Sequence, residues 1–251
     1  MSINTSIPST ASVFSTLLRF DLLTQWRNRR ATILVILVPV VILISWKGLI
    51  KHFGGDFVIA NCITVGLNAI GLMGYPNTVA RDRDKGIFQR LRVAPAPSWA
   101  IMASRLTVQL VMIALLTIAI FLVGYQYDGI SFSASGYVCA FLISIAGGAV
   151  YLSLGQVIVG LVKSPEAVNA VSRLVYFVFI MVGMFAGLGM LGSAIEKATK
   201  WSPYGAVKEV VSTSLHPATW GASSTTALLF IIGYTIVFTA LGIRFFKWSN
   251  R

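Results

Sequence analysis

Titratable chemistry is scarce in this chain. Its 251 residues include two cysteines, two histidines and eight carboxylates, against twenty lysines and arginines. Cys62 and Cys139 both fall within apolar stretches, so they read as small packing residues rather than a disulfide, and their spacing matches no metal motif. His52 and His216 have no partner ligand within sequence reach, which argues against a metal site. No GxxxxGK[ST] loop is present to cradle ATP phosphates. The acids Asp21, Asp56, Asp82, Asp84, Asp128, Glu166, Glu196 and Glu209 lie at span ends, in loops or in the N-terminal segment. None is expected inside the bilayer, where such groups mark enzymes and proton relays, so no catalytic residue is assigned.

What the chain has instead is hydrocarbon. At 56% hydrophobic residues, 11% charged and a mean hydropathy of +0.80 it reads as an all-α integral membrane protein. A spanning helix needs roughly 20 apolar residues to cross about 30 Å of hydrocarbon. Six stretches meet that test: Thr32–Ile50, Phe57–Val79, Trp99–Tyr125, Ala134–Val162, Ala167–Leu191 and Thr225–Phe245. Pro39 is expected to kink the first, because it removes a helical donor. About thirty residues precede that span and end in Arg27, Arg29 and Arg30, which does not fit a secretory signal. With that cluster in the cytoplasm, about 15 basic residues fall inside and about 5 outside, so both termini are expected in the cytoplasm of a cell-membrane protein. The net charge of +12 is thereby assigned to topology rather than to nucleic acid.

Three features stand apart from plain hydrophobicity. Residues 10–30 pattern as an amphipathic helix in the cytoplasmic interface, with Val13, Phe14, Leu17, Leu18 and Phe20 on one side and Asp21 interrupting them. The second span carries Asn61, Thr64, Asn68, Gly71 and Tyr75 at helical spacing, a stripe that suits interhelical hydrogen bonding or a lining for a substrate path. Residues 192–224 are too polar to span and pattern as two short helices at the outer interface, with Trp201, Tyr204 and Trp220 at headgroup level. Anchoring and a lid over an exit path are the two readings of that segment.

The stretch ARDRDKGIFQRLRVAPAPSW, residues 80–99, concentrates charge between two apolar spans. With Asp82, Arg83, Gly86, Arg90, Leu91, Arg92 and Pro95 it resembles the charged first cytoplasmic loop of ABC-2 type exporter permeases, the family of daunorubicin-type efflux, nodulation-factor and polysaccharide export subunits. TKWSPYGAV, with Trp201, Pro203 and Tyr204, is similar to that family's segment before the last span. FAGLGML, at 185–191, departs from the family pattern by lacking a proline.

The resemblance implies one transmembrane domain over 1–251, with a coupling helix in 81–97 that docks on a separate ATPase, and a second permease copy or homologue. ATP and Mg²⁺ are then expected on the ATPase partner, and no cofactor on this chain. Ile87, Phe88 and Leu91 would fill an apolar cleft of the ATPase, while Arg83 and Arg90, two turns apart, would share a face that pairs with its carboxylates. Alternating access would export a small molecule, lipid or glycan. A Na⁺-coupled secondary transporter and a non-transporting scaffold are the alternatives.

Overall fold

A computed structural model of the chain describes residues 9–93 and 97–246. Among them the regular structure is helical throughout. Helices α1 (Thr10–Arg27), α2 (Arg29–Ser45) and α3 (Lys47–Phe53) form the N-terminal part, and α4 (Gly55–Asn68) opens the second span. A π-helical segment, Ala69–Gly74, joins α4 to α5 (Tyr75–Asp84), so the three run as one 30-residue helix over 55–84. Pro76 explains the wide turn: it brings no N–H, and the backbone carbonyls ahead of it relax into longer-range bonding.

Next come α6 (Ile87–Val93), α7 (Ser98–Asp128), α8 (Ala134–Leu161) and α9 (Pro165–Gly187), then α10 (Ser193–Lys200), α11 (Pro203–Ser214) and α12 (Ala222–Phe245). Five of these helical runs are long and apolar enough to cross a membrane, and the bent pair of α1 and α2 makes a sixth if counted as one span. The protein is a multi-pass membrane protein. Pro39 does not interrupt α2, which continues past it to Ser45 and breaks at Trp46. Helix α9 also starts earlier and ends earlier than its hydropathy suggested, because Ser164 caps its N-terminus by accepting the Ala167 N–H at 3.2 Å.

The second span is the core of the bundle. Every residue from Val58 to Leu72 is buried, and the helices around it are α2, α7, α8, α9 and α11. Glycine permits the closest of these approaches. A Cβ on Gly71 would sit 2.3 Å from the Tyr151 Cβ and 2.5 Å from its backbone carbon, and one on Gly155 would sit 2.3 Å from the Gly71 carbonyl oxygen. The second span and α8 therefore cross backbone to backbone, as small residues allow in a membrane where helix packing is driven by dispersion rather than by expulsion of water.

The segment at 192–224, expected as two peripheral helices, divides between the bundle and its surface. Helix α11 enters the bundle, burying Tyr204, Val207, Val210 and Val211 completely between the second span, α8 and α12. Helix α10 is the peripheral one, and Ile195 on it stays exposed.

Candidate functional site

The charged stretch at residues 80–93 is two helices, not a loop. Helix α5 carries the charges of Arg81–Asp84 as the last turn of the span; the chain turns at Gly86, and α6 begins at Ile87. Gly86 has φ +67°, a left-handed conformation that glycine adopts without penalty. Because the axis changes there, Arg83 and Arg90 do not share a helical face, and that expectation is corrected.

Arg83 turns inward. Its guanidinium donates to the carbonyl oxygens of Val159 and Val162 at 2.7 Å and of Lys163 at 2.8 Å, and the residue is 3% exposed. These carbonyls sit at the end of α8, where a helix has no further N–H to satisfy its last acceptors. Arg83 is thus the C-terminal cap of a neighbouring span rather than a free cation for a partner.

Asp82 is also paired inside the chain, accepting from Arg105 of α7. The Arg105 guanidinium in turn lies 5.0 Å over the Phe88 ring, which is fully buried and meets Phe246 edge to face at 6.1 Å. Phe88, expected to plug a partner's cleft, plugs the base of its own helix. Arg105 was missed in the sequence because it reads as one more cytoplasmic basic residue; the signal was a cation within a long apolar helix, which needs a carboxylate within reach.

Among the described side chains of α6, Gln89 and Arg90 are exposed and Ile87 is half-buried. The backbone of Leu91 is helical, its side chain lies outside the described part, and Pro95 falls outside the described residues.

The polar stripe of the second span is sealed within the bundle. Asn61, Thr64 and Asn68 have no exposed surface, and Tyr75 almost none. Asn61 accepts from the Tyr204 hydroxyl at 3.2 Å, Thr64 bonds back to the Ala60 carbonyl, and Tyr75 donates to Gln156 of α8. Asn68 reaches the Tyr176 carbonyl on α9 at 3.4 Å and keeps a buried, unpartnered Oδ1. In this conformation the stripe joins helices.

The expected lid residues divide. Tyr204 is a core residue rather than a headgroup aromatic, its ring stacked on the backbone of α9, where a Cβ on Gly183 would come within 2.2 Å of it. Trp201 and Pro203 stay half-buried at the turn between α10 and α11. Two hydroxyls pin that turn: Tyr234 of α12 donates to the Trp201 carbonyl at 2.9 Å and Tyr151 of α8 to the Pro203 carbonyl at 3.5 Å.

A central span sealed by its neighbours, a short helix past its charged end and a helix packed into the bundle before the last span are the features that the site brings together. The family model for the ABC-2 type transporter matches residues 12–211. The chain belongs to the ABC-2 type transporter family. As an ABC-2 chain it is the membrane component of an ABC transporter and is not itself catalytic. No curated protein matches the chain in sequence. The matched region takes in the Gly86 turn, α6 and most of α11, so the three features lie within the family domain.

Proposed function

We propose that this ABC-2 subunit is the permease of an exporter, that α6 is the helix through which it engages a separate ATPase, and that a second permease copy completes the transporter. The observation that carries the reading is the construction of α6. It is a separate rigid body, set off by Gly86, braced from beneath by Phe88 and Arg105, and presenting Arg90 outward.

A push on such a helix reaches the spans through fixed contacts rather than being absorbed by a flexible loop. Arg105 of α7 lies over Phe88 of α6 and pairs with Asp82 of α5, and Arg83 links the last turn of α5 to the end of α8. ATP and Mg²⁺ belong to the ATPase partner in this scheme, both termini and α6 face the cytoplasm, and the cell membrane is the site of action.

The test is copurification. Arg90→Ala and Leu91→Asp should each lose the ATPase while the permease still inserts, and Lys197→Ala, on exposed α10, should retain it. Retention of the ATPase and of full transport by both α6 variants overturns the assignment.

A further inference from the structure

At the end of the bundle that carries α6, the second span and α9 line an open cavity of about 570 Å³. Asn77 and Arg81 line it from α5, and Glu166, Asn169 and Arg173 from α9, Glu166 in that helix's first turn. Arg81 bonds weakly to its own helix, through Nε to the Asn77 carbonyl at 3.3 Å, and its residue is exposed. Arg173 makes no hydrogen bond or ion pair among the described residues, and Glu166 is not within ion-pair distance of either arginine.

Arg173 is exposed and lies within α9 rather than in the connection before it. It lies eight residues into α9, which at about 1.5 Å per residue places it roughly 12 Å, two turns, from the helix start. A charge inside a span is costly unless something pairs with it. Beyond it the exposed side of α9 is apolar, through Leu174, Phe177, Val178 and Met181. The bias of basic residues toward one side of a membrane explains the sign of these charges. It does not explain why two arginines and two amides from two different spans converge on one cavity, where the arginines repel each other until an anion joins them.

We propose that this cavity is a binding site for the anionic head of an amphiphile, a carboxylate or phosphate held by Arg81 and Arg173, with the apolar tail laid along the exposed face of α9. Both guanidiniums offer paired N–H donors that match the two oxygens of such a group, and the Asn169 amide supplies a neutral donor beside them, while the Asn77 amide is held by the Met73 carbonyl at 2.7 Å. The Glu166 carboxylate in the same lining disfavours a second negative charge beside it, which selects a compact head over an extended polyanion. The inference rests on the permease reading for its meaning, since it names the class of cargo or of regulatory lipid, but its test requires no ATPase.

The full-length chain in nanodiscs of neutral phosphatidylcholine is titrated with dansyl-undecanoate, and dansyl emission reports binding. Saturable binding is expected, displaced by dodecyl phosphate and not by dodecyltrimethylammonium. Arg173→Gln should weaken it about tenfold and the double variant with Arg81→Gln about a hundredfold, the loss of one and two charge-assisted contacts, while Arg173→Lys, which keeps the charge without the paired donors, falls between the unaltered chain and Arg173→Gln.

A second arm repeats the titration with about one-fifth phosphatidylglycerol in the disc. Displacement of the probe identifies a membrane-lipid headgroup as an occupant, and persistence of binding identifies a dispersed amphiphile; either fits the site. Equal affinity for dansyl-undecanoate and a dansylated alkylammonium, or glutamine variants within about twofold of the unaltered chain, overturns the proposal. Probe binding by a chain whose Arg90→Ala variant still holds the ATPase would remove the coupling assignment and leave this site standing. ATPase capture that depends on Arg90, without probe binding, does the reverse.

Discussion

Arg83 Nη1 donates to the carbonyl oxygen of Val159 at 2.7 Å, across 76 residues of sequence, and so ties the last turn of the second span to the end of α8. Removing this guanidinium leaves three helix-terminal carbonyls without a donor. Arg83→Ala is expected to cost about 2–4 kcal/mol of stability, read as a lowered unfolding temperature of the purified protein. Arg83→Lys should recover part of that loss, because one ammonium cannot reproduce the fork that reaches all three carbonyls. Arg90→Ala, on the exposed side of α6, should leave the unfolding temperature unchanged. Equal unfolding temperatures for Arg83→Ala and the unaltered chain would remove the cap from the account.

The Asn61–Tyr204 bond joins the second span to α11 in a fully buried setting. A double-mutant cycle with Asn61→Leu and Tyr204→Phe should give a coupling of about 0.6–1.7 kcal/mol, the range for hydrogen bonds between helices in a membrane. Thermal or denaturant unfolding of the four proteins measures it. A coupling near zero would mean that Tyr204 holds α11 by packing on Gly183 alone.

Glycines in this bundle divide by what a methyl group would meet. Gly71→Ala and Gly155→Ala drive a Cβ into the backbone of the facing helix, where nothing flexible can give way. Each should cost about 1–3 kcal/mol or more by overpacking. Gly233→Ala, on α12 with nothing within 4 Å, should be neutral or raise stability by up to about 1 kcal/mol through helix propensity. Expression yield and unfolding temperature of the three single variants check this ordering.

Arg105 holds both Asp82 and the Phe88 ring, so it governs how α6 is seated. Arg105→Leu strands the Asp82 carboxylate in a half-buried site and removes the contact with Phe88. Loss of about 2–4 kcal/mol is expected, with part restored by adding Asp82→Asn, since breaking a pair costs more than deleting both charges. Cysteine crosslinking between α6 and α7 should become less efficient in the single variant. Unchanged crosslinking would show that Phe88 alone seats the helix.

Hydropathy and charge were enough to make this chain an all-α membrane protein, to place its long apolar helices within a few residues, and to mark 192–224 as a segment of short helices apart from the spans. Those are local properties. A run of about 20 apolar residues has one stable form in hydrocarbon, whatever lies beside it, because its backbone groups must bond internally.

Tertiary structure decided which way the charged and polar side chains point. Successive residues on a helix are rotated about 100°, so Asp82, Arg83 and Asp84 face three directions, and only the neighbours say which direction is occupied. Arg83 finds the open carbonyls of α8, Asp82 finds Arg105, and Asp84 remains exposed.

The same holds for Tyr204. Beside Pro203 and Trp201 it reads as a headgroup aromatic, yet Gly183 on α9 leaves a slot and Asn61 an acceptor, so burying the ring satisfies both its apolar body and its hydroxyl. The composition of a segment states what its residues can bond to. The packing of distant segments decides which of those bonds forms.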